Sequence, residues 1–138
     1  MFLYLDTSSL VKLYVEEAES DQIIGLVGSS EITSTSLIAY AEARAAFARR
    51  FRENAFKPVD YDRLKAVFDK DWNNYFILNV TGDLIKLAGD LAEKHALRGF
   101  DSIHLASALT LRHELETNII FSCFDNNLKK ASEREGLD

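Results

Sequence analysis

Asp6 follows an apolar run and precedes three hydroxyls in FLYLDTSSLVKLY, and Asp125 repeats that pattern in NIIFSCFDNNLKKA. An aspartate between a strand and a helix commonly caps the helix by accepting bonds from its free amides, so each has an ordinary structural role available. Asp101 follows a glycine turn in LRGFDSIHLASAL, at the head of an apolar helix, where an N-cap is again the plain reading. His104, one turn later, suits a core histidine bonded to a neighbour better than a general base. Glu42 lies in STSLIAYAEARAAFARRFR, read as a helix over 34–52 with an inward stripe of Ile38, Ala41, Ala45 and Ala48. Its carboxylate faces partly apolar neighbours, which is costly unless it is partnered, and a surface pair with Arg49 or Arg50 is the simple alternative. If these acids instead converge, their mutual repulsion requires a cation among them.

Whether they converge depends on the elements that carry them. Short apolar runs at 2–5, 31–34, 75–80 and 119–122 read as strands. Between them the spacing turns helical: Leu84, Leu87, Ala88, Leu91 and Ala92 form one stripe, and Leu64, Val67, Phe68 and Trp72 another. Residues 103–111 are apolar on most sides and predict a buried helix. This alternation implies an α/β fold with a mainly parallel sheet covered on both faces, where ligands gather at the carboxyl edge of the strands. Asp6 and Asp125 both fall at that edge and meet if their strands are near neighbours.

Composition narrows the function classes. The 138 residues, 47% hydrophobic, fit one domain over 1–138 with a genuine core. No apolar stretch reaches the length of a membrane span and the first run is too short for a signal sequence, so a cytoplasmic protein without membrane attachment is expected. The single Cys123 cannot form an internal disulfide, and His95, His104 and His113 lack the spacing of a structural zinc site. A formal charge of −6 excludes a protein that holds nucleic acid by its whole surface. Any such contact must be local, and Arg44, Arg49, Arg50 and Arg52, on the helix bearing Glu42, form a local basic patch whose plain alternative is a solvated helix face.

YLDTSSLVKLY, AYAEARAAF, KHALRGFDSIHLASAL and FDNNLKKAS, in that order and over nearly the whole chain, resemble the PIN-domain ribonucleases and specifically the VapC toxins of toxin–antitoxin pairs. The resemblance implies a PIN-like α/β/α sandwich and puts Asp6, Glu42, Asp101 and Asp125 at the family's acidic active-site positions. The chain departs from the pattern two residues before the fourth acid, where the family often has threonine or serine and this sequence has Cys123, with Ser122 a shifted substitute.

Hard carboxylate oxygens suit Mg²⁺ or Mn²⁺. Asp6 and Asp101 are the expected direct ligands, with Glu42 and Asp125 completing the cage, holding water or supporting a second ion. Ser8 either steadies Asp6 through its hydroxyl or acts as a simple cap. The implied activity is metal-dependent hydrolysis of RNA leaving a 5′-phosphate, with a small VapB-like antitoxin as partner and a homodimer as the assembly. Ser8 also stands where a haloacid-dehalogenase-like phosphotransferase needs its second aspartate, which argues against that class. The rival from another class is a catalytically weak PIN module that binds RNA or a protein without cutting.

Overall fold

The structure, a computed structural model, describes residues 1–138. In chain order the elements are β1 (Phe2–Leu5), α1 (Thr7–Val11), α2 (Ser20–Ser29), β2 (Ile32–Ser36), α3 (Ala39–Arg52), α4 (Pro58–Trp72), β3 (Phe76–Leu78), α5 (Gly82–His95), α6 (Gly99–Leu115), β4 (Ile119–Ser122) and α7 (Asn126–Arg134). The four strands form one parallel sheet in the order β3-β2-β1-β4. Parallel neighbours need helical crossovers, and those helices cover both faces. β1 is central, and its side chains alternate between two cores. Leu3 and Leu5 join Leu10, Ile23, Ala39, Ala43, Phe47 and Phe68 on one face. Tyr4 joins Leu91, Leu105, Leu111, Phe121 and Leu128 on the other. No helix is long and apolar enough to cross a membrane.

The boundary between β2 and α3 differs from the sequence reading. The segment expected to open a helix at residue 34 is still strand, because β2 runs Ile32–Ser36 and α3 begins only at Ala39. Ser34, Thr35 and Ser36 are buried hydroxyl residues, and the first two donate to the carbonyls of Leu3 and Leu5 on β1, at 2.7 and 2.8 Å. Those bonds make a polar segment acceptable in the middle of a sheet. The delayed start also corrects the buried face of α3, which is Ala39, Ala43 and Phe47 rather than Ile38, Ala41, Ala45 and Ala48. β3 is shorter than the expected 75–80, while β1 and β4 have the expected bounds.

Candidate active site

β1 and β4 are adjacent, with Leu5 opposite Ser122, and the Asp6 amide donates to the Ser122 carbonyl at 3.1 Å. The ends of both strands therefore deliver Asp6 and Asp125 to one edge of the sheet. Each also fulfils the plain reading. Asp6 Oδ1 accepts from the Ser9 amide at 2.9 Å and caps α1, and Asp125 Oδ1 accepts from the Leu128 amide at 2.9 Å and caps α7. A cap occupies one carboxylate oxygen and leaves the other for further work. Ser8 Oγ donates to the same Oδ1 of Asp6, at 2.8 Å. Asp6 is only 5% exposed, and its burial raises the carboxyl above the ordinary aspartate range against the pull of the Ser9 amide.

Glu42 is held from two sides. Thr7 Oγ1 donates to its Oε1, and His104 Nε2 lies 3.1 Å from the same oxygen. A carboxylate only accepts, so Nε2 carries the hydrogen, and the buried Tyr4 hydroxyl, 2.8 Å from Nδ1, donates to the ring's other side. The chain Tyr4–His104–Glu42 runs from the core to the edge of the sheet. Burial pushes the Glu42 carboxyl up, but the hydrogen bonds from His104 and Thr7 outweigh it and hold the group below its ordinary value. No Glu42–Arg49 or Glu42–Arg50 pair forms. Arg50 pairs with Glu17 instead.

Asp101 is not an N-cap. Arg98 is the residue flanking α6, and Asp101 is the third residue of the helix. Its Oδ2 accepts from Arg98 Nε at 3.1 Å and pairs with Nη2 at 3.1 Å, while Asp125 Oδ2 lies 3.8 Å from the same Nη2. Arg98 thus spans two of the four acids. Repulsion keeps carboxylates apart unless a cation lies between them, and here the guanidinium is that cation. No group of three or more His, Cys, Asp or Glu side chains stands close enough to be a ready-made metal cage. The donor chemistry nevertheless fits a hard divalent ion, since the carboxylates of Glu42 and Asp101 line one hollow and Asp6 Oδ2 makes no hydrogen bond within the chain.

Two hollows meet at Glu42. One, about 500 Å³, is lined by Glu42, Arg98, Gly99, Phe100, Asp101 and Ile103. The other, about 590 Å³, lies between α1 and α3 and includes Thr7, Ser8, Lys12, Arg49, Arg50 and Arg52. Arg44 is not among them. It turns away to donate to the Tyr40 hydroxyl at 2.9 Å and sits over that ring.

A family model for the PIN domain matches residues 3–134. The chain belongs to the PIN domain family. Among its relatives, Ribonuclease VapC45 of Mycobacterium tuberculosis is 30% identical over 138 residues, covering 97% of this chain and 91% of the relative. Ribonuclease VapC47 of the same organism is 28% identical over 139 residues, covering 98% and 93%. Among solved structures, Mycobacterium tuberculosis VapC20, described as a Sarcin-Ricin loop cleaving toxin, superposes with a TM-score of 0.66 at 17% identity, covering 94% of each chain. VapBC2 from Rickettsia felis, bound to a promoter DNA fragment, gives 0.63 at 13% identity, covering 94% of this chain and 92% of that one. These likenesses establish the PIN fold.

In this PIN domain the departure at residue 123 is resolved by position. Ser122 Oγ is engaged with Ser9 Oγ at 2.9 Å. Cys123 is the residue beside them: burial first, then the charges of Asp6 and Asp125, push its thiol up to about 12, and it stays protonated at neutral pH. Sequence reading missed Thr7, Tyr4 and Arg98. Arg98 had a local signal, because it lies three residues before Asp101 in a segment that begins a helix.

The raised Asp6 carboxyl gives a stability test. A carboxyl whose folded pKa exceeds its unfolded value contributes stability below the unfolded value, near pH 4, and loses it as pH rises through the folded value. At pH 7 in chelator, Asp6→Asn is therefore expected to melt above wild type. The gap should close as pH falls toward 4. Melting below wild type at both pH values would mean that the charged cap outweighs the burial.

Proposed function

We propose that this PIN domain is a metal-dependent ribonuclease of the VapC type, the toxin of a toxin–antitoxin pair. The reading is supported by one arrangement: adjacent parallel strands end at Asp6 and Asp125, and Glu42 and Asp101 line one hollow. The names of its relatives, Ribonuclease VapC45 and VapC47, support the same activity. Asp6 and Asp101 would be the direct ligands of Mg²⁺ or Mn²⁺, with Glu42 and Asp125 completing the set. The bound ion supplies activation of water and neutralisation of charge at the phosphodiester.

The chain's own residues prepare that site. Ser8 and the Ser9 amide fix one oxygen of Asp6 and leave the other. Thr7 and His104 hold Glu42 ionised and oriented. Arg49 and Arg52, exposed along the second hollow, would follow the phosphate backbone of RNA, a local positive strip on an acidic protein. Arg50 is already engaged by Glu17. Loss of Arg49 and Arg52 together should flatten the salt dependence of RNA binding by about 1.4 in log–log slope, at about 0.7 per phosphate contact on a single strand. Arg44→Ala should leave the slope unchanged, and equal effects from Arg44 and the pair would remove the groove from the binding path.

A small VapB-like antitoxin is the proposed partner, supported by the toxin–antitoxin complex from Klebsiella pneumoniae, which superposes with a TM-score of 0.55 at 19% identity. Its C-terminal segment would lie in the hollow between α1 and α3 and offer a cation to the acids. A homodimer through an apolar face is the proposed assembly. Incubation of the purified chain with mixed RNA in Mg²⁺, in Mn²⁺ or in excess chelator tests the activity. Cleavage only with metal is expected, and binding without cleavage in either metal would favour the non-cutting module instead.

A further inference from the structure

We propose that Phe100 and Arg98 form a nucleotide-positioning subsite, in which the Phe100 ring stacks on an unpaired base next to the acids and Arg98 reaches the adjoining phosphate. This rests on the ribonuclease reading above and adds to it two positioning residues beside the acids.

Phe100 is 59% exposed and belongs to neither core. It is the second residue of α6, one before Asp101, and lines the same hollow as Glu42 and Asp101. The other exposed large apolar residues, Ile24, Leu37, Val59, Val67, Phe76 and Ile85, line neither hollow at the acids. Phe76 is the other exposed phenylalanine, and it lies on the edge strand β3, opposite Ser34 of β2, lining a different hollow. Folding thus does not account for the placement of Phe100.

Chemistry accounts for it. A flat aromatic face pairs with any unstacked base, which is how single-stranded RNA is commonly gripped, whereas a base inside a duplex has both faces occupied. Arg98, two residues earlier, is 80% exposed at its side chain and presents a planar fork suited to phosphate. A Cβ at the intervening Gly99 would meet nothing within 4 Å, so the floor between ring and guanidinium is open. Because Glu42 lines both hollows, a strand stacked on Phe100 continues past the acids toward Arg49 and Arg52.

The test measures binding rather than cleavage, on an Asp6→Asn background in Mg²⁺. The probes are a fluorescent single-stranded RNA decamer of mixed sequence and a decamer with the same backbone but abasic at every position. Phe100→Ala should weaken binding of the first by about 5- to 100-fold, the range for losing one base–aromatic stack, and leave binding of the second unchanged. Phe100→Trp should restore affinity, with fluorescence quenched on binding. Arg98→Ala should weaken both. Equal loss on both decamers in Phe100→Ala, or no loss on either, overturns the subsite while mixed-RNA cleavage by wild type keeps the ribonuclease reading. Dissociation of a dimer by Phe100→Ala with RNA affinity intact would give the ring to a second copy, and also overturns it. A chain that neither binds the decamers nor cleaves RNA removes both readings together.

Discussion

Asp101→Asn is expected to lower metal-dependent RNA cleavage by about a thousandfold, the scale for losing one charged group that acts at a reacting phosphodiester. The substitution keeps the shape of the side chain. What it deletes besides the charge is the pairing with Arg98, an exposed contact at 3.1 Å whose loss costs less than about 1 kcal/mol. In chelator the variant should therefore melt within a few degrees of wild type. Arg98 keeps Asp125 as a neighbour, so no cation is stranded. Mg²⁺ or Mn²⁺ should then separate the two proteins, because an ion that binds only the folded state raises stability with its concentration in proportion to its affinity. Wild type should climb with metal and Asp101→Asn much less. Equal climbs, with cleavage retained, would make Asp101 an ordinary partner of Arg98.

His104→Ala should cost about 2–4 kcal/mol of folding stability, from a cavity in the core and the loss of a buried hydrogen-bonding ring. His104 is buried, its Nδ1 receives the Tyr4 hydroxyl and its Nε2 supports Glu42. Removing it leaves the Tyr4 hydroxyl, itself wholly buried, with one partner fewer. Replacing both groups by apolar ones of similar shape strands nothing, so Tyr4→Phe combined with His104→Leu should be less destabilised than the two single effects added together. Chemical denaturation of the four proteins measures this. Strict additivity would mean that the two side chains act independently.

How much of this was legible depended on contrast along the chain. β1 and β4 are short apolar runs, each followed by an aspartate, and both the strands and their shared edge could be read from that pattern. α6 was legible because residues 103–111 are apolar on most sides. β2 was legible only in its first half: 31–34 read as a strand, but the polar continuation through Thr35 and Ser36 is held in the sheet by bonds such as that from Thr35 to the Leu5 carbonyl. α3 misled for the opposite reason. Alanines at 39, 41, 43, 45, 46 and 48 give little contrast between faces, and only Phe47, packed in the core, fixes the rotation.

At the site, single residues were legible and their partners were not. A cap at Asp6, the Ser8 bond and the acid positions follow from local sequence. The bond between His104 and Glu42 spans 62 residues and that between Tyr4 and His104 spans 100, and only the packing of α6 against the sheet creates them. Three of the four arginines on α3, Arg49, Arg50 and Arg52, share one hollow. Arg44, on the same helix, has its guanidinium drawn to Tyr40 four residues earlier. With 22 acidic residues in the chain, no counting of charges could have selected Arg98 as the partner of Asp101 and Asp125.

The chemistry of the cut ends tests the central claim most directly. Hydrolysis by water at a carboxylate-held metal leaves a 5′-phosphate and a 3′-hydroxyl, whereas attack by the RNA's own 2′-hydroxyl leaves a 2′,3′-cyclic phosphate and a 5′-hydroxyl. Purified wild type, with Asp6→Asn in parallel, should be incubated with RNA in Mg²⁺ and the new ends determined. Fragments bearing 5′-phosphates, produced by wild type and absent with Asp6→Asn and in chelator, are the expected result. Cyclic phosphates, or fragments produced equally by both proteins, would contradict it.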